Sequence, residues 1–327
     1  MDSSKRIHRK APVLMNNVTS GYISRLIPLY RKRIDNTDIS KLDFKGFAAL
    51  IEVYDSLAAL QSKSGMHRES DETRKTIIEI LGSKTEAMEN EIFEKAKGLG
   101  SNIEKFKEIY GALRRKENDR PITTRRIAQD GGAKESAYAL IEDGSAINAL
   151  CREAIAYRRA QILFMIAIGN YNEAFDIALG TVKRYHNAKI YANAPAEKLM
   201  TDIIKKGEEI SDILYGSGRI NAARGLLEAA LISAMEMIDI ENKLVEAKKR
   251  ANAAHYMVEF EKHAVLLSAR MGDYNSAYNQ IEIMVNKHIK DGKPGYAMDI
   301  LQLGHEIAKL DSDKKDFDSQ SMNMYDF

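Results

Sequence analysis

The most constraining feature of this 327-residue sequence is a nine-residue segment that occurs twice in nearly the same form. Residues 167–175 read AIGNYNEAF, and residues 270–278 read RMGDYNSAY. In each copy a glycine ends an apolar run, an Asn or Asp, a Tyr and an Asn follow, and an alanine opens the next run. Glycine adopts the left-handed conformation that closes a helix, and alanine lets the second helix pack closely. The segment therefore predicts two antiparallel helices joined by a tight turn.

Two looser copies of this turn lie at 218–223 (GRINAA) and 292–297 (GKPGYA), and four such turns indicate an array of helical hairpins. Apolar residues elsewhere recur at spacings of three and four, as Phe47, Leu50 and Tyr54 do, so that strand patterns are nearly absent. The predicted fold class is therefore all-α. Beyond residue 145 the predicted helices are 146–168, 171–186, 196–216, 219–238, 241–271, 274–290 and 294–309.

The chain is predicted to divide near Gly132, because the residues between Lys116 and Ser136 are polar and rich in turn formers. The predicted parts are a basic flexible segment (1–17), an N-terminal helical subdomain (18–132), a helical-hairpin domain (133–310) and an acidic flexible tail (311–327). Within the subdomain, Ser83 and Ser101 each stand three residues before a Glu. This capping-box spacing predicts a helix start at each serine.

The turns at 169–174 and 272–277 resemble the turn between the two helices of the tetratricopeptide repeat. In that family a Gly, an Asp or Asn and a Tyr lead into a second helix that opens with a buried Ala. Five residues after their turn glycines, as the family pattern asks, stand Ala174, Ala223, Ala277 and Ala297. The turn glycines are 49, 54 and 20 residues apart, whereas the family period is about 34. The resemblance implies an irregular tetratricopeptide-like helical-hairpin solenoid over roughly residues 150–310.

Such folds mostly hold a peptide or helix of a partner protein in a groove and seldom catalyse reactions. The resemblance therefore implies a non-enzymatic interaction scaffold with a protein or peptide partner, no catalytic residues and no cofactor. Apolar and tyrosine side chains would anchor the partner, and charged side chains would orient it. The first candidates for groove contacts are Tyr157, Arg158, Tyr215 and Tyr256.

Composition restricts the cellular setting. The single cysteine, Cys151, excludes an internal disulfide, and a reducing cytoplasm is the expected location. No apolar run approaches the ~20 residues of a membrane-spanning helix, so no membrane partner is expected. Phosphate-binding loops, nucleophile elbows and HExxH zinc motifs are absent from the sequence.

Charge distribution supports an alternative function. Up to Glu135 the chain has 26 basic and 20 acidic residues, although its net charge is only +2. Clustered arginines bind phosphates, and neighbouring tyrosines such as Tyr110 stack on bases. The alternative is therefore an RNA-binding or other nucleic-acid-binding protein that uses the basic N-terminal region and a cluster formed by Arg114, Arg115, Lys116, Arg120, Arg125 and Arg126. A solvated charged face explains the same residues without a ligand.

Two histidine patterns point to chemistry only weakly. Arg250 and His255 fit the Arg-x4–6-His pattern of the HEPN ribonuclease domains, which a chain with seven histidines matches about once by chance. His255, Glu259 and His263 lie one turn apart on one helix face, yet the outer two are roughly 12 Å apart and cannot reach one ion. We therefore expect no metal site and a surface pair between Glu259 and His263.

Overall fold

The computed structural model describes residues 20–116, 131–188, 195–246 and 253–325, and these residues form ten α-helices and no strand. A short 3₁₀ turn at Ile39–Lys41 lies between the first two helices. The all-α prediction is confirmed. In chain order the helices are α1 (Ser20–Asp35), α2 (Phe44–Lys63), α3 (His67–Lys116), α4 (Gly131–Ala167), α5 (Tyr171–Asn187), α6 (Pro195–Gly216), α7 (Ile220–Glu246), α8 (Ala253–Arg270), α9 (Tyr274–Lys290) and α10 (Pro294–Tyr325).

The four predicted turns are confirmed in both of their features. The turn glycines have positive φ, with 86° at Gly169, 76° at Gly218, 81° at Gly272 and 68° at Gly292. The four alanines that open the following helices are buried. At the third turn the Asp273 carboxylate accepts a hydrogen bond from the Ser276 amide and caps α9. Turn chemistry that acts within a few residues was therefore readable without tertiary information.

The two helix starts predicted at Ser83 and Ser101 are wrong, because both serines lie inside the 50-residue helix α3. Its buried stripe includes Ile77 and Leu81 before the first serine and continues to Ile92 beyond it. A capping box satisfies only the amides of one turn, whereas a continuous stripe buries apolar area along the whole helix. Packing against α4 therefore overrides the capping signal at Ser83, whereas at Ser101 the helix continues without a buried stripe.

Helix ends also differ from the predictions where no glycine marks them. The break predicted near residue 239 is absent, since α7 runs to Glu246 and buries Glu241 and Leu244 in its last turns. Helix α4 begins at Gly131, well before residue 146, where its start was predicted. The last helix, α10, continues to Tyr325, where a flexible tail was predicted from residue 311.

Neighbouring helices in the chain pack on each other, and several helices also contact the next but one. The contacts of the second kind join α4 to α6, α5 to α7, α6 to α8 and α8 to α10. One apolar core extends from Phe47 in α2 to Ile307 in α10, and Ile27 of α1 packs in a small second cluster. The largest helix contact joins α3 to α4, across the predicted boundary at residue 132. The core is thus continuous across that position.

The far ends of α3 and α4 form a two-helix extension that we call the outer hairpin (93–116 and 131–146). Beyond Ile92, no residue of α3 whose burial is described is buried, and on α4 only Ala133 is buried before Ile147. Asn102 donates a hydrogen bond to Asp143 across the pair, at 2.9 Å. At 1.5 Å per residue the α3 part is about 36 Å long. The outer hairpin therefore has little buried apolar area of its own.

Replacement of Gly169 by Ala tests the turn geometry. The φ of 86° is unfavourable for a residue with a Cβ, although nothing lies within 4 Å of that atom. We expect G169A to lower the free energy of unfolding by about 1 kcal/mol in urea denaturation. G180A is the matched control, because Gly180 lies in the interior of α5 with equally open space. It should stabilise by about 0.5–1 kcal/mol, and equal effects of the two changes would contradict the assignment.

Candidate functional site

Two of the four predicted groove residues lie inside the protein. Tyr157 and Arg158 on α4 are 3% and 5% exposed. The Tyr157 ring packs against Phe47 and Phe44 of α2, with centroids 4.9 and 5.5 Å away. Burial, with smaller contributions from nearby carboxylates, raises the pKa of Tyr157 to about 12. These side chains hold α4 in the core and do not face a groove.

Arg158 belongs to a buried ion-pair network that joins three helices. Its Nη2 donates to Glu89 Oε2 of α3 at 2.8 Å, and its Nη1 donates to Gln161 Oε1 at 2.8 Å. Arg184 of α5 contacts the same Glu89 oxygen at 2.8 Å. Glu89 is fully buried. One carboxylate thus forms ion pairs with two guanidinium groups on different helices, which sets the relative positions of α3, α4 and α5.

Two potentially reactive groups stand beside this network. Burial raises the pKa of the Cys151 thiol to about 11. Burial, together with the nearby Cys151 and Glu89, raises the pKa of the Tyr185 hydroxyl well above its usual value. Both groups therefore remain protonated at neutral pH, and a buried thiol of this kind is not an activated nucleophile.

The other two predicted groove residues are partly accessible. Tyr215 lies near the end of α6 and Tyr256 near the start of α8, and both are half-buried. The Tyr256 ring meets the edge of His255 with centroids 5.6 Å apart. These tyrosines remain candidates for contacts with a partner.

The predicted arginine cluster is described only in part. The backbone places Arg114, Arg115 and Lys116 on the last turn of α3, at the tip of the outer hairpin. Tyr110, one turn earlier, is half-buried with its ring 6.2 Å from Phe106. Outside the described residues lie Arg120, Arg125 and Arg126.

The predicted surface pair between Glu259 and His263 is wrong. His263 is buried, and its Nδ1 lies 3.0 Å from Glu208 Oε1 of α6. Glu259 instead faces Lys262 at 3.6 Å. His255 is exposed, and Arg250 lies outside the described residues, so the HEPN-like pair stays a hypothesis. The partner of His263 lies on a different helix, so the residue spacing within α8 does not identify it.

Three histidine–glutamate pairs connect helices of the C-terminal array. His186 of α5 is in direct contact with Glu197 of α6, and His263 of α8 contacts Glu208 of α6. The third pair joins His288 of α9 to Glu261 of α8 at 2.6 Å. The partners are 11, 55 and 27 residues apart. No local spacing could have identified them.

A second carboxylate distinguishes the first of these pairs. Glu241 of α7 approaches His186 and Glu197 so that one ligand atom from each lies within 4.8 Å of the others. The side chains of His186 and Glu197 are 10% and 2% exposed, and Glu241 is fully buried. We call these three residues the His186 cluster. Its donor set of one imidazole nitrogen and two carboxylate oxygens suits a divalent metal ion.

The His288 pair has a different neighbour. Lys287 Nζ lies 3.5 Å from the second oxygen of Glu261 and donates to Asn242 Oδ1 of α7 at 3.0 Å. A lysine therefore supplies the positive charge at this pair, and its ammonium group also bridges α7 and α9.

Comparison with known proteins identifies no relative: no family model matches this chain, and no curated protein matches it. No helix in the described part of the chain is both long enough and apolar enough to cross a membrane.

Removal of the Glu89 carboxylate tests the buried network. E89A leaves Arg158 buried with its main partner gone, and we expect a loss of about 3–5 kcal/mol in the free energy of unfolding. The control is E94A on the same helix, since Glu94 forms only an exposed pair with Lys97. That change should cost no more than about 0.5 kcal/mol. Similar losses in both variants, measured by urea denaturation, would contradict a central role for Glu89.

Proposed function

We propose that this chain is a non-enzymatic interaction scaffold, built as an irregular tetratricopeptide-like array that binds a helix or peptide of a partner protein. The contacts that join α4 to α6, α5 to α7, α6 to α8 and α8 to α10 support a stack of hairpins over α4 to α10. The glycine turns and the buried alanines that follow them support the same arrangement. Raised pKa values of the buried thiol and phenols favour binding over nucleophilic chemistry.

Exposed apolar residues on α7 and α9 carry this proposal. The bond from Lys287 to Asn242 connects the two helices near their C-terminal ends. Met235 stands two turns before Asn242, and Ile283 stands one turn before Lys287, so each shares a helix face with a residue of the bridge. Met235 is 44% exposed and Ile283 is 68% exposed. We infer from this shared facing that the two side chains border one surface strip.

A partner helix is the occupant that this strip favours. Full burial of one Ile or Met side chain contributes about 1.5–3 kcal/mol. An amphipathic helix presents apolar anchors on one face and can place them against such exposed side chains. The sulfur of Met257 on α8 lies 3.6 Å from Lys287 Nζ. We therefore infer that Tyr256, the residue before Met257, lies near the same strip. Tyr215 on α6 would extend the contact surface.

Site-specific photo-cross-linking in the producing cells tests the scaffold proposal. A benzophenone amino acid at position 235 or 283 should capture the same protein partner, because both positions border one strip. The exposed Asp176 on α5 is the control position and should not give that adduct. The double change M235D/I283D should weaken binding of the captured partner by at least tenfold, since it places two charges against apolar anchors. Different adducts at 235 and 283, or the same adduct at 176, would contradict the proposal.

Nucleic-acid binding is a second candidate, favoured by the position of Arg114–Lys116 at the tip of the outer hairpin. Fluorescence anisotropy with labelled single-stranded RNA, titrated with salt, measures it. If this function is correct, affinity falls steeply with salt, and reversing the charges of Arg114, Arg115, Arg125 and Arg126 abolishes binding. The same reversal should leave the cross-link at position 283 intact. Failure of the full chain to bind RNA at low salt would exclude this candidate.

A further inference from the structure

The strongest unassigned feature of the molecule is the His186 cluster. Its residues come from three consecutive helices: His186 from the last turn of α5, Glu197 from the first turn of α6 and Glu241 from near the end of α7. Packing of α5, α6 and α7 on one another brings the three side chains together.

We propose that the His186 cluster binds a divalent transition-metal ion, with Zn²⁺ as the best fit. Imidazole nitrogen and carboxylate oxygens are ordinary Zn²⁺ ligands at about 2.0–2.2 Å, which places neighbouring ligand atoms roughly 3.4 Å apart in a tetrahedral site. The three ligand atoms already lie within 4.8 Å of one another. Side-chain rotations would have to adjust these separations to the spacing of a tetrahedral site.

Binding places the ion at the contact between His186 and Glu197. A histidine ligand must be neutral, so the Nε2 atom that faces Glu197 binds the ion through its lone pair while Nδ1 carries the single ring proton. Only a proton held by the site in addition to that one leaves to solvent. Two carboxylates and one divalent ion then sum to zero charge within the buried site. The ion would tie the ends of α5 and α6 to α7 and stabilise this end of the array.

The other histidine–glutamate pairs bring together fewer candidate ligands. At the His288 pair, the group beside Glu261 is the ammonium group of Lys287, which is not a metal ligand. The His263 pair has a single carboxylate, Glu208, on the facing helix. A second carboxylate within ligand distance of both partners occurs, among the described residues, at the His186 cluster. The Glu208 pair thus offers a matched control of the same chemical type.

Isothermal titration of the chelator-treated full chain with Zn²⁺ tests the proposal. We expect one equivalent to bind. The midpoint of thermal unfolding should rise by several degrees on addition of Zn²⁺. E197Q and E241Q should each weaken this binding by more than about tenfold, since even residues that only support a ligand cost that much. E208Q should keep the wild-type affinity.

Three outcomes would overturn the proposal. One is the absence of binding by the wild-type chain. Another is unchanged affinity in both E197Q and E241Q, which would assign the ion to exposed histidines such as His67 or His305. If E241Q does not fold by circular dichroism, E241D retains the charge but withdraws the carboxylate by one methylene group. Unchanged affinity in a folded E241D would equally overturn the proposal. The result does not depend on whether the chain binds a protein partner or RNA.

Discussion

The contact between α3 and α4 is the interaction on which the rest of the structure depends. Ile77, Leu81 and Ile92 of α3 form its apolar stripe, and α4 carries the later hairpins on its other side through α5 and α6. Within this contact the buried Glu89 forms ion pairs with Arg158 of α4 and with Arg184 of α5. Apolar packing tolerates small shifts between helices, whereas a shared carboxylate requires a specific geometry. This network therefore sets the register from which the array continues.

Polar pairs between helices recur along the array beyond this contact. Three histidines each meet a glutamate of another helix, and none of the six side chains is more than 13% exposed. A buried polar group without a partner costs free energy, so each pair disfavours packing arrangements that would separate its members. At the His186 cluster the second carboxylate adds a binding capacity to this structural role. In this proposal the same helix ends pack against each other and bind the ion.

Local signals in the sequence were informative wherever a few neighbouring residues determine the conformation. The positive φ of Gly169 and Gly272 and the burial of the alanines after them followed from turn chemistry alone. Helix ends without a glycine were predicted poorly: α3 passes through two capping signals, and α7 continues past residue 239. At Ser83 and near residue 239, a buried stripe that continues along the helix contributes more than one cap. Tyr157, predicted at a groove, is in the core because the facing of a helix depends on its neighbours.

The sequence by itself determined that this protein is all-helical, where its tight turns lie and which alanines lie beneath them, because these properties depend on residues within one or two turns of each other. Only the tertiary structure decided which helices join into α3, that Arg158 faces Glu89, and that His186 meets Glu197 and Glu241. The partners in these contacts are 69, 11 and 55 residues apart in the chain. These contacts depend on how several helices pack together, and no short sequence pattern specifies that packing.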